Sequence, residues 1–185
     1  MSGLPCRKKA AFATKGYFPT QRNRRGRQLG RVLASHYQEI VVDQLFDRKT
    51  QLAIALQPLV RAAASVLDLD EARRQAILIR VDAGGGGVDD INWLLERGYQ
   101  VLAKDYSSVR SASLAASVTE WFADPKVPER QVGWVLLPAS VYVRPVVRLA
   151  VRCHKANEQW GYGVLIGPPD LAPPAAAGRT GRCAG

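Results

Sequence analysis

Between Arg73 and Ala103 the residues order themselves as strand, glycine turn, short helix and strand, and this succession restricts the fold more than any other stretch. Arg73 to Asp82 (RRQAILIRVD) is a short apolar run that ends in an acid. Ile77, Leu78, Ile79 and Val81 predict a strand buried on both faces. Ala83 and four glycines, Gly84 to Gly87, turn the chain. Asp89 and Asp90 then start a helix over Ile91 to Arg97 (INWLLER), where the positive end of the helix dipole favours acids. Gly98 closes it as a left-handed glycine, and Tyr99 to Ala103 forms the next strand. Two strands joined through a helix run parallel, which places the chain in the α/β class.

The flanking segments have other periods. Gln28 to Tyr37 and Glu39 to Phe46 are rich in β-branched and aromatic residues and predict an antiparallel strand pair. Thr50 to Leu67 carries apolar residues at helical spacing, with Thr50 as its cap and Pro58 predicting a kink or a late start. Ser107 to Phe122 predicts another helix that buries Ala112, Leu114, Ala115, Val118, Trp121 and Phe122. Gln131 to Pro138, Val141 to Cys153 and Trp160 to Ile166 predict consecutive antiparallel strands, a C-terminal β-rich insertion over 126–167. The tail over 168–185 has no periodicity and predicts disorder.

The formal net charge is +10, and its placement is uneven. Residues 1–38 hold nine bases (Arg7, Lys8, Lys9, Lys15, Arg22, Arg24, Arg25, Arg27 and Arg31) and no acid before Glu39. The remainder holds 17 bases and 16 acids, so the excess is N-terminal. Such a run meets phosphates through long-range attraction and counterion release, or serves as a solvated basic tail. Cys6, Cys153 and Cys183 include no CxxC pair, so neither a zinc ribbon nor a disulfide framework is expected. No apolar run has the length of a membrane span and no h-region follows the basic start, so a cytoplasmic protein with no membrane partner is expected.

Asp82 is the residue with the most chemistry. It ends an apolar strand at a glycine turn, where α/β sheets gather reactive groups. A carboxylate there suits Mg²⁺, and two such metals would clamp the oxygens of a phosphoryl transfer; a turn or helix cap is the plainer role. The glycine run is not a P-loop, since Val88-Asp89 follows where Lys-Ser/Thr is required, and two acids would repel a pyrophosphate. No nucleotide cofactor is expected. His36 and His154 read as structural, and Trp93, Trp121, Trp134 and Trp160 read as core. Arg80, Arg97 and Lys104 flank the strand end as phosphate contacts or as solvated surface.

Together, Ile79-Arg80-Val81-Asp82-Ala83-Gly84, Ile91-Asn92-Trp93-Leu94-Leu95, Arg97-Gly98-Tyr99 and Lys104 resemble the centre of a bacterial insertion-sequence transposase with a DDE catalytic domain. Ala13 to Phe18, Arg22 to Arg31, Arg144 to Arg152 and Trp160-Gly161-Tyr162 resemble the same family, so the likeness covers roughly residues 2–166. It implies a ribonuclease H-like fold, here a partial mixed sheet with helices over 1–125. It also implies two divalent cations (Mg²⁺), held by Asp, Asp and Glu, and cleavage and joining of DNA at transposon ends, by a homodimer in the intact family. Asp82 matches the second acid, as catalytic residue and metal ligand. The first would precede a segment resembling Ser2 to Pro5, where Met1 stands, and the third would lie on a helix beyond the insertion. Glu120 and Glu158 stand outside the matching context. The expectation is a fragment truncated at both ends, with an incomplete site and DNA contacts through Lys8, Lys9, Lys15, Arg22, Arg24, Arg25, Arg27 and Arg31. The alternatives are a non-catalytic basic DNA-binding module and a nucleotide-dependent α/β enzyme using the glycines.

Overall fold

Alternation along residues 25–47 makes a hairpin. In the computed structural model, which describes residues 14–15, 25–47, 50–81, 87–105, 107–154 and 159–171, β1 (Thr14–Lys15), β2 (Arg25–Ala34) and β3 (Glu39–Asp47) form an antiparallel sheet. The chain divides into two compact units, Met1–Leu69 and Asp70–Gly185. Gln38, at φ 56°, closes the turn between β2 and β3. The register sets Arg27 opposite Asp47, Leu29 opposite Leu45 and Arg31 opposite Asp43. This face is open: Leu29 is 50% exposed and Leu45 56%.

The other face packs on α1 (Leu52–Val66), whose Ala55, Leu56, Leu59, Val60 and Ala63 are buried at helical spacing. Gly30 lets the helix come close, because a Cβ there would lie 2.7 Å from the Phe46 ring and 2.9 Å from Leu59. Two expectations are corrected. The cap is Gln51, with no side-chain hydrogen bond, and not Thr50. The helix begins before Pro58 and runs through it. An interior proline costs about 3 kcal/mol, and here the packing of the buried stripe against the sheet offsets it.

In the second unit Asp70 caps a short helix, α2 (Glu71–Gln75), by accepting from the Arg73 N–H at 2.8 Å. Residues 73–77 are therefore not strand; β4 is Leu78–Val81. Nor is β4 buried on both faces: Leu78 is 45% exposed and Arg80 is exposed. The reason is position, since β4 is at the sheet's edge in the order β4-β5-β9-β8-β7-β6. It pairs in parallel with β5 (Gln100–Lys104) through α3 (Val88–Glu96). Asp89 and Asp90 lie in the first turn of α3, and Gly98 ends it at φ 88°. The Gly98 and Tyr99 N–H groups donate to the Leu95 and Leu94 carbonyls at 3.0 and 3.2 Å, a complete Schellman closure.

α4 (Ser108–Ala115) follows, capped by Ser107. It is shorter than predicted because the Ser117 hydroxyl and N–H both donate to the Leu114 carbonyl, at 2.7 and 3.1 Å, and turn the chain out of the helix. Ala112 is exposed, Ser111 is buried in its place, and Phe122 begins β6 (Phe122–Asp124) on the surface. β7 (Val127–Trp134), β8 (Val147–His154) and β9 (Trp160–Gly167) are antiparallel neighbours. β9 also pairs antiparallel with β5, so these strands extend the sheet that holds β4. The chain is thus mixed α/β. Leu114 and Ala115 of α4 pack on Ala150 and Val164. Residues 141–146 are irregular, not strand. The Asn92 amide holds them, donating to the Val141 carbonyl at 2.9 Å and accepting from the Val143 N–H at 3.0 Å.

Gly98→Ala should cost about 1 kcal/mol, since a Cβ is strained at this φ. Denaturant unfolding checks it, and an unchanged midpoint would refute the role given to Gly98.

Candidate functional site

The carboxyl ends of parallel strands are where this fold can present chemistry. β4 ends at the buried Val81, in register with Ala103 of β5. Asp82, the next residue, lies outside the described residues. Past the end of β5 stands an acid that sequence reasoning missed. Asp105 is 4% exposed, and its N–H donates to the Val164 carbonyl at 2.8 Å. Its carboxylate accepts from the Ser107 N–H at 2.9 Å and from Arg110 Nε and Nη2 at 2.7 and 2.6 Å. The signal was partial: like Asp82, Asp105 ends an apolar strand, but a serine cap and not a glycine run follows it.

Two further groups complete this cluster. Arg148 is 8% exposed, and its Nη2 donates to the Leu137 and Pro138 carbonyls at 2.6 and 2.9 Å. Burial pushes its guanidinium below the usual arginine range, against the pull of Tyr142 and Asp105. Burial, followed by the Asp105 charge, raises the Tyr142 hydroxyl above its ordinary value. The Asp105 hydrogen bonds raise Arg110. With the carboxylate committed to a bidentate guanidinium, Asp105 is not available as a base or metal ligand. The cluster anchors the turn from β5 into α4.

The other predicted residues separate. Asp90 is pushed up by burial and then by the Asp89 charge. Among the described residues no group of three or more His, Cys, Asp or Glu stands together. Arg80 and Lys104 are exposed, while Arg97 lies 4.0 Å over the Trp93 ring and donates to the Trp93 carbonyl at 3.0 Å. Lys8, Lys9, Arg22 and Arg24 lie outside the described residues. Lys15 and Arg25 face each other across β1 and β2. Arg31 Nε and Nη2 hold the Asp43 carboxylate at 2.7 and 2.8 Å, which lowers Asp43 chiefly through those hydrogen bonds. The hairpin 25–47 contains three bases and three acids, so its own charge is balanced. Of the net +10, six charges stand upstream of it, on Arg7, Lys8, Lys9, Lys15, Arg22 and Arg24, and four arise after it, where 17 bases meet 13 acids. The tryptophans are not simply core: all four are half-buried, and Trp93, Trp121 and Trp160 lie under arginines.

No protein-family model, curated protein or solved structure matches the chain.

Arg110→Ala should destabilise the protein by about 3 kcal/mol, since it strands a buried carboxylate. Asp105→Asn should cost roughly 1–2 kcal/mol, because Arg110 reaches solvent. Denaturant unfolding checks the order, and the reverse order would contradict the assignment. The raised Tyr142 means the folded state keeps a proton that the unfolded state releases, so stability is lost as pH rises past 10. Tyr142→Phe should flatten that alkaline loss in pH-dependent melting, and an unaltered slope would count against it.

Proposed function

We propose that the chain is a DDE-type transposase domain piece that holds DNA and does not by itself cut it. The observation carrying this is the parallel β4–α3–β5 unit, because β4 leads directly into Asp82, the one acid in the family's motif. A mixed sheet with helices against it is compatible with a ribonuclease H-like core, and the basic stretch before the hairpin suits a polyanion. Among the described residues no three acids stand together as a two-cation centre requires. Asp82 is one carboxylate where each cation needs several oxygens, and Asp105 is committed to Arg110. No chemical step is therefore assigned to this chain, and its expected activity is binding.

Fluorescence anisotropy with a labelled duplex, repeated over salt, tests this. Log affinity should fall with log salt by about 0.9 per phosphate neutralised. Replacing Arg7, Lys8, Lys9, Lys15, Arg22 and Arg24 by alanine should flatten the slope, whereas Arg31→Ala, whose charge Asp43 already balances, should leave it nearly unchanged. Absence of salt-dependent binding by the intact chain would overturn the proposal.

A further inference from the structure

Most arginines of the second unit meet a carboxylate or carbonyl: Arg110 holds Asp105, Arg130 holds Asp124 at 2.7 Å, and Arg148 donates to two carbonyls. Arg152 differs. Its guanidinium lies 4.2 Å over the Trp121 ring and 4.5 Å over the Trp160 ring. Nε donates to Gln131 Oε1 at 2.8 Å. Among the described residues nothing accepts from Nη1 or Nη2. Among the described residues the charge is thus held by neutral groups alone, with no acceptor at its two-pronged edge. A stacked arginine loses little further freedom when it binds, and its planar fork matches phosphate oxygens.

The surroundings narrow the ligand. Cross-strand register puts Gln131, Arg152 and Tyr162 in one row and His154 and Trp160 in the next, on one sheet face. The His154 ring centroid lies 3.7 Å from that of Trp160, the planes tilted at 39°; His154 is exposed, and Tyr162 is 38% exposed. Trp121 packs against the Leu114, Ala115, Ala150 and Val164 cluster, so the platform is anchored in the core. A guanidinium fork beside flat aromatic rings suits a phosphodiester with adjoining bases, since stacking accepts any base. An acidic peptide would engage the charge and leave the rings unused.

We propose that Arg152, fixed against Trp121 and Trp160, is a docking point for a phosphodiester of a nucleic acid strand, with the Trp160–His154 stack and Tyr162 beside it as base platforms. This rests on the DNA-binding reading and adds to it a site on β8 and β9 of the second unit.

The test uses the full chain and a fluorescein-labelled 15-nucleotide single strand, read by anisotropy at low salt. Arg152→Lys keeps the charge and loses the fork, and should weaken binding about tenfold. Arg31→Ala, as a control, should not. If the intact chain binds and Arg152→Lys binds equally, the docking point is wrong and the DNA-binding reading stands. If the intact chain does not bind the strand, the docking point falls, and the duplex titration decides the DNA-binding reading. A second measurement is independent of the variant's folding: the Arg152 Nε–H resonance of the intact protein should shift as the strand is added. A resonance that stays still overturns the proposal, as does poly-glutamate shifting it at the same concentration.

Discussion

A carboxylate with almost no solvent must be neutralised where it lies, and the Asp105–Arg110 pair does this at the point where β5 ends. Both partners are local, five residues apart, so the pair sets the turn from strand to helix. The same residue's N–H holds the Val164 carbonyl, which ties the turn to β9. β5 can then be bonded in opposite senses on its two edges, parallel to β4 and antiparallel to β9. α4 starts from this turn and lays Leu114 and Ala115 over Ala150 and Val164. Arg148 and Tyr142 bring the irregular 135–146 segment to the same cluster, and Asn92 fixes its far side. The antiparallel strands thereby continue the sheet begun by the parallel pair.

Charge is handled differently in the two units. In the hairpin, acids sit opposite bases on an open face: Asp43 holds Arg31, and Asp47 stands in register with Arg27. Exposed pairs of this kind are weak and salt-sensitive, yet they cancel the local field that would draw a polyanion. In the second unit the buried Arg148 is satisfied by two carbonyls, and Arg152 is held by two tryptophan rings and an amide. We propose that phosphate meets the bases upstream of the hairpin and Arg152; Arg80 and Lys104 are exposed as well.

Much of this was legible in local sequence. The Ile91 helix with its acids and Gly98 closure, the β2–β3 pair and the antiparallel strands all rest on short-range periodicity and turn chemistry, which the residues display directly. What escaped was non-local. Four apolar residues before Asp82 look like a central strand, but the sheet order makes β4 an edge, and only pairing partners reveal that. The α4 terminus depends on Ser117 returning to Leu114, and the irregular segment before β8 depends on Asn92, some fifty residues earlier. Asp105 also ends a strand, but no glycine run follows it, and its burial and its pairing with Arg110 show only in the folded turn. The compensation of Arg31 by Asp43 needed the hairpin register, twelve residues apart in sequence.

We propose that this chain holds DNA without cutting it, since a lone Asp82 does not supply the oxygens of a two-cation centre. The most direct measurement incubates the purified protein with supercoiled, transposon-end-bearing DNA in Mg²⁺ or Mn²⁺ and follows nicking on a gel. Retarded but intact DNA is the predicted result. Nicking that Asp82→Asn abolishes would contradict it.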